Sequence, residues 1–258
     1  GVMYEKSYMH RDCVSHVLHC STSNSDFFVS ASRDGHVKFW KKRAKGVEFA
    51  KHFRAHVGVI VGMDCSKCGT RVITLGEDGS AKIFDVNSFD MIGMIKLKKK
   101  DDNNSEATCV AWLYDSRKKR HHASKQLFAV GDSSGRITVH DANAEDLNQT
   151  MVKELTSVHG GSNGVVCMAY NGEYECVVSC DQSGGVEAWS ADPEEEFERL
   201  PIGGDFSKSM NSDRRRELKF SAKFETDLYA LEKAKTSATH VSFSKDGKRM
   251  VICARDMK

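Results

Sequence analysis

The chain has little proline, 2 residues in 258, and no segment that holds a 3.6-residue apolar period. With helical periodicity missing, an all-β chain is expected. Net charge is almost absent as well: 38 Lys and Arg face 36 Asp and Glu, which gives no general attraction to nucleic acid or anionic membranes. Long apolar runs are missing. The longest, VGVIVGM at 57–63, falls far short of the roughly 20 residues of a spanning helix, so no membrane segment is expected. The N-terminal GVMYEKSYMHRD lacks the apolar core of a signal peptide, and the chain is expected to stay inside the cell. The 9 cysteines are odd in number and lie mostly in apolar strand-like runs such as CVSHVLHC and ECVVSC. They read as reduced core thiols, not a disulfide framework. A hydrophobic content of 40% is still enough to bury a core in one or two domains.

What the chain does have is repetition. RDGHVKFWKK at 33–42 sets an Asp-Gly pair, the strongest two-residue hairpin signal, ahead of a polar–apolar alternation typical of a half-buried strand. EDGSAKIFD (77–85), SSGRITVHD (133–141) and QSGGVEAWS (182–190) repeat it. The turn glycines Gly35, Gly79, Gly135 and Gly184 recur at intervals of 44, 56 and 49 residues, and the second and fourth residues after each are apolar. A further copy starts at THVSFSKDGKRMVICARDMK and stops at Lys258. Repeats of this length, each with four short strands, are the signature of a WD-repeat β-propeller. The expected architecture is four full blade units, about 10–54, 55–105, 106–158 and 159–235, plus a partial one at 236–258. On this reading residues 1–258 form an incomplete ring, and more strands are expected to follow. In the second unit the four strands, lettered a to d in chain order as in every unit, are expected at GVIVGMDC, RVITLG, SAKIFD and DMIGMIKL.

One polar set accompanies the repeats. The first unit offers His10, Ser30, Asp34 and Trp40. The second offers His56, Thr74 and Asp78, with Phe84 in the Trp place. The fourth has His159, Ser179 and Trp189, with Ser183 where the Asp should be, and in the third Ser134 and His140 replace Asp and Trp. A Ser, a His and an Asp compose a hydrolase triad on paper. A structural brace is the better reading, because no Gly-x-Ser-x-Gly elbow surrounds Ser30 and a buried carboxylate needs such partners in any case. Catalysis needs one complete site, whereas repeated partial versions suit a scaffold. Cys65 and Cys68 make a C-x-x-C, half of a zinc site or a redox pair, yet no second C-x-x-C completes four ligands. No catalytic residue, metal or cofactor is expected. Basic clusters at Lys98–Lys100, Arg117–Arg120 and Arg214–Arg216 are flanked by acids and read as solvated loops, with RNA contact or nuclear import as the alternative.

MYEKSYMHRD (3–12), DGHVKFWKK (34–42), FDVNSFDMI (84–92) and FETDLYALEKAKTSATHVSFSKDGKRM (224–250) resemble the N-terminal WD-repeat domain of the nuclear WD-repeat cyclophilins, which join a propeller to a peptidyl-prolyl isomerase domain. The resemblance implies a nuclear protein-interaction scaffold with spliceosomal partners and a role in pre-mRNA splicing. It also implies a cyclophilin domain C-terminal to these residues, onto none of which the isomerase activity can be carried. No membrane or small-molecule substrate is implied. A WD-repeat subunit of another intracellular complex, without an isomerase domain, is the alternative. Insertions near 115–125 and 191–217 depart from the family pattern. In antiparallel blades they decorate the face of the a–b and c–d loops, and long loops of this kind are functional or disordered. The opposite face offers Arg11, Arg33, His36 and Arg136 beside the turns, and these are the expected anchors for a protein partner.

Overall fold

A computed structural model describes residues 8–23, 25–97, 105–113, 126–160, 163–191, 199–200 and 230–255. The expected insertions at 115–125 and 191–217 lie almost wholly outside the described residues, as do the three basic clusters. The chain divides into two compact units, residues 1–97 and 98–258, each of which is an array of antiparallel sheets.

The first unit holds two blades. β1 (Val14–Ser21), β2 (Asp26–Ser32), β3 (His36–Lys42) and β4 (Val47–Arg54) form one sheet in chain order, and β5 (Ile60–Cys65), β6 (Arg71–Gly76), β7 (Ser80–Asp85) and β8 (Asp90–Lys96) form the next. The second unit repeats the plan with β9 (Ala107–Trp112), β10 (Leu127–Asp132), β11 (Ile137–Asp141) and β12 (Met151–Leu155). A fourth sheet follows with β13 (Val165–Asn171), β14 (Cys176–Asp181), β15 (Val186–Ser190) and β16 (Arg199–Leu200). β17 (Ala238–Phe243) and β18 (Met250–Ala254) pair as the start of a fifth. The fold is all-β and of the WD-repeat propeller type, four four-stranded blades and two strands of another among the described residues.

Burial explains why the strands order themselves this way. The second strand of each blade is the most apolar and the most enclosed, completely so in β10 and β14, while the fourth strands β4, β8 and β12 are largely exposed. A strand covered on both faces must be apolar at successive positions, whereas an outer strand alternates. In the first unit Phe39 and Phe84 come from facing blades, both are fully buried, and their ring centroids lie 5.8 Å apart. Burying each such ring is worth about 1.5–3 kcal/mol. In the second unit Leu127, Ile137, Val165, Val177 and Trp189 form the corresponding core, and Cys176, Val178 and Cys180 pack with Ala238 and Val241.

The b–c turns do more than reverse the chain. Gly35 sits at φ +80°, and a Cβ there would lie 2.2 Å from the His56 carbonyl oxygen. The glycine is thus required twice, by its conformation and by the close approach. Its carbonyl accepts the amides of Ala55 (2.9 Å) and His56 (3.1 Å), tying the turn to the loop that leads into the next blade.

The strands expected in the second blade form with two losses at the start: Gly58 and Val59 stay in the loop, where Gly58 has φ +98° and the Glu77 carboxylate accepts the Val59 amide at 3.1 Å. One element lacked any periodic signal. α1 (Ala230–Lys233) is a single turn, too short to show a period, and it abuts Gly184 of the fourth blade's turn.

Candidate functional site

The polar set appears as a directed hydrogen-bond chain, most complete in the fourth blade. Trp189 Nε1–H donates to Ser179 Oγ at 3.1 Å, and Ser179 Oγ meets His159 Nε2 at 2.8 Å. His159 Nδ1 donates to Asp181 Oδ2 at 3.0 Å. A carboxylate carries no proton to give, so His159 is the donor on that side, and its Nε2 accepts the serine hydroxyl. Asp181 Oδ1 takes the Ser183 amide (2.9 Å), the Ser183 hydroxyl (2.7 Å) and the Gly185 amide (2.8 Å). Burial opposes ionisation of Asp181, and the bonds from His159, Ser183 and Gly185 overcome it, so its carboxyl lies below the usual carboxylate range. The sequence offers Ser183 as the substitute for a missing aspartate. The carboxylate is present after all, at the last residue of β14.

The second blade builds the same chain from the turn. His56 Nε2 meets Thr74 Oγ1 at 2.8 Å and His56 Nδ1 donates to Asp78 at 3.0 Å. Ser80 Oγ donates to the same carboxylate at 2.7 Å. Burial holds the His56 imidazole below its ordinary pKa against the pull of Asp78. Gly76 makes the arrangement possible, since a Cβ there would lie 2.3 Å from His56 Nδ1. Phe84, in the Trp place, contributes only to the core.

The first blade is different. His10 Nε2 meets Ser30 Oγ at 2.7 Å and Trp40 Nε1–H donates to the same oxygen at 2.8 Å, but His10 Nδ1 is buried without a hydrogen-bond partner. Asp34 does not complete the chain: its Oδ1 takes the Ser32 hydroxyl and the His36 amide. The cause is the residue three before the turn glycine. In the second blade it is Gly76, which leaves room for the histidine to reach the carboxylate. Here it is Ser32, whose hydroxyl occupies the aspartate. The expected shell of His10, Ser30 and Trp40 around Asp34 is corrected to two separate groups.

In the third blade Asp132, at the position of Asp181, accepts Ser134 Oγ (2.6 Å) and Arg136 Nε (2.9 Å). Arg136 also pairs with Glu154 at 3.6 Å, and its side chain is only 15% exposed. It is an internal cross-link, not the free anchor expected for a partner. His140 bonds Thr138 and Thr150 at 2.9 Å each, stacks on Phe128 with centroids 5.2 Å apart, and burial pushes its pKa down to about 4.

The geometry bears on the hydrolase reading. Ser179, His159 and Asp181 have triad-like spacing, but all three are buried, at 0%, 4% and 4% exposure. A nucleophile must be reachable by substrate, and Ser179 already accepts the tryptophan N–H. Ser30, the serine offered by the sequence, is also buried and has no carboxylate behind its histidine. Cys65 and Cys68 do not converge: Cys65 Sγ faces the His19 carbonyl at 3.8 Å, whereas Cys68 Sγ lies 3.3 Å from Ser66 Oγ and 3.0 Å from Thr70 Oγ1. Among the described residues no group of three or more His, Cys, Asp or Glu is placed to hold a metal.

The remaining expected anchors lie at one end of the first blade. Arg11 and Arg33 are exposed. His36 is half-buried and its Nδ1 touches His52 Nε2 at 2.5 Å. Sequence reasoning missed Lys38 and Lys82, two strand lysines that reach back to the preceding loop. Lys38 donates to the carbonyls of Tyr8 (2.6 Å) and Met9 (2.7 Å), and Lys82 donates to that of Ala55. Their signal was available: each stands three residues after its turn glycine.

Comparison with known proteins agrees with this geometry. Residues 6–41 and 48–85 match the family described as WD domain, G-beta repeat. Over 99% of its length the chain is 36% identical to the Mus musculus protein named peptidylprolyl isomerase domain and WD repeat-containing protein 1. It is also 36% identical, over 95% of its length, to peptidyl-prolyl cis-trans isomerase cyp15 of Rhizopus delemar. The chain spans about a third of these relatives, 34% and 33% of their lengths. Among solved structures, the β-propeller domain of Myceliophteria thermophila Cps50 (Swd1) superposes with a TM-score of 0.61 at 15% identity, covering 96% of this chain and 64% of that one. The likeness to the WD-repeat cyclophilins read from the sequence is therefore shown over nearly the whole chain, and the propeller fold with it.

Proposed function

We propose that this chain is the protein-interaction part of a nuclear WD-repeat peptidyl-prolyl isomerase, and that it holds spliceosomal proteins during pre-mRNA splicing. The observation that carries the reading is the 36% identity over 99% of the chain to a relative whose name joins an isomerase domain to WD repeats. The internal chemistry supports a scaffold. The histidine and aspartate of the second and fourth blades are turned inward and bonded to each other, leaving rigid turns as the exposed features, and rigid frames presenting loops are suited to binding proteins. Isomerisation belongs to the part of the relatives that this chain does not span.

Affinity-tagged chain incubated with nuclear extract, followed by mass spectrometry, tests the reading. Enrichment of spliceosomal proteins is the expected result, and a retained set without them refutes the splicing role. The purified chain is expected to leave the rate of a prolyl-peptide isomerisation assay unchanged. Acceleration that survives removal of contaminating cyclophilins would place the activity here instead.

A further inference from the structure

We propose that the end of the first blade carrying Arg11, Arg33, His36, His52 and Arg54 docks an acidic segment of a protein partner. The inference rests on the scaffold reading above and gives the partner a chemistry.

The topology gathers these cations. In the β3–β4 ladder His36 pairs with Arg54 and Lys38 with His52, and paired positions share one face of a sheet. Lys38 is buried, and its grip on the Tyr8 and Met9 carbonyls draws residues 8–13 across the same end. The Arg33 amide donates to the Cys13 carbonyl at 3.0 Å, which sets the b–c turn beside that strap and Arg11. Arg11, Arg33, His52 and Arg54 are all exposed.

Two local carboxylates stand against three arginines and Lys38, so they offset only part of this charge. Asp34 is held by Ser32 and the His36 amide, and Asp12 by the Cys13 amide at 2.6 Å. None of Arg11, Arg33 and Arg54 has an ion-pair partner among the described residues. His36 and His52 meet each other at 2.5 Å with rings 19° from parallel, and among the described residues no carboxylate bonds to either ring. A surface with this imbalance attracts anions.

Two features favour a protein segment over RNA. The aromatic rings of the strap and sheet pack on one another, Tyr8 stacked on Phe49 at 4.4 Å and Trp40 edge-on to Phe49 at 5.6 Å, which leaves little open aromatic platform for bases. Apolar groups border the cations instead, Met9 and Val57, each 72% exposed, as at a protein interface. The patch is also short. Glu77 and Asp78 stand at the next blade's turn, holding the Val59 and Val57 amides, and a continuous polyanion would run onto them.

Fluorescence anisotropy decides the matter, with the whole chain titrated into a labelled peptide of mixed Glu and Asp and, separately, into a labelled oligouridine. The expected result is saturable peptide binding that weakens with salt and falls by about tenfold in the double variant Arg33→Glu with Arg54→Glu. Arg33→Ala with Arg54→Ala should show a smaller loss in the same direction. Lys67→Glu, exposed on the a–b turn of the second blade, should bind as the parent does. Absent peptide binding, equal loss in Lys67→Glu, or preference for oligouridine overturns the proposal. A double variant that binds no peptide yet still retains spliceosomal proteins from nuclear extract sinks this inference alone and leaves the scaffold reading standing.

Discussion

Replacing Asp181 by Ala removes the acceptor of four hydrogen bonds from a residue that is 4% exposed. Ser183 is exposed, and its amide and hydroxyl can turn to water. His159 cannot, because its side chain is 0% exposed, so its Nδ1–H is stranded. An unsatisfied buried donor costs about 1–3 kcal/mol, and the half-buried Gly185 amide adds part of another. The sum is about 2–4 kcal/mol of stability. Asp181→Asn should cost less, since a carboxamide oxygen still accepts the turn amides and only the contact with His159 is spoiled. Asp34→Ala releases a half-buried carboxylate whose neighbour Ser32 carries a rotatable hydroxyl, a loss of about 1 kcal/mol. Urea unfolding followed by circular dichroism and by tryptophan fluorescence measures all three, and Trp189 reports from inside the network. A cost for Asp181→Ala no greater than that for Asp34→Ala would refute the assignment of the fourth-blade carboxylate.

Three further expectations can be checked on the same preparation. His140 is neutral when folded, with its pKa down at about 4 against 6.5 in the free residue. Its contribution is therefore whole above pH 6.5 and is lost as pH falls toward 4, by about 3 kcal/mol. His140→Phe should flatten that part of the stability–pH curve, and an unchanged curve would contradict the burial argument. Native thiol titration should show Cys13 and Cys253, the two exposed cysteines, reacting well before the other seven, with Cys109 slow because burial lifts its thiol to about 12. Fast reaction of more than two thiols would indicate an opened blade. Gly35→Ala and Gly79→Ala both force an L residue to positive φ, at about 1–2 kcal/mol. Only Gly35 also faces a carbonyl at 2.2 Å, while Gly79 has open space, so Gly35→Ala should melt clearly lower.

The blades were legible because turn chemistry and a two-residue period are local signals. Ile60–Cys65, Arg71–Gly76, Ser80–Asp85 and Asp90–Lys96 differ from expectation only where Gly58 and Val59 fall into the loop and the last strand stops one residue short, before Leu97. The polar set was legible by residue type and misplaced by position. Ser32-Arg33-Asp34-Gly35 and Asp181-Gln182-Ser183-Gly184 exchange their serine and aspartate about the middle residue. Alignment on the turn glycine therefore sets Ser183 against Asp34 and hides the carboxylate of Asp181. Asp132-Ser133-Ser134-Gly135 follows the same exchanged order. Arg136 resembled a surface anchor because its neighbours in sequence are turn residues. Its bond to Asp132 lies within the turn, four residues back, but its pairing with Glu154 depends on the adjoining strand β12, which no local window contains. The cationic end of the first blade was half visible: Arg11, Arg33 and His36 lie near turns, but His52 and Arg54 join them only through the ladder register.

The grip of Gly35 on Ala55 and His56, and of Gly79 on Leu97 at 2.9 Å, gives the first unit a direction. Each turn is closed by amides that come later in the chain, so a blade emerging from the ribosome keeps one open carbonyl until the following linker arrives. Opening should run the other way. The amide protons of Ala55 and His56 are shielded by the turn of the preceding blade, and hydrogen exchange there would time the parting of two neighbouring blades, separately from the fraying of either one.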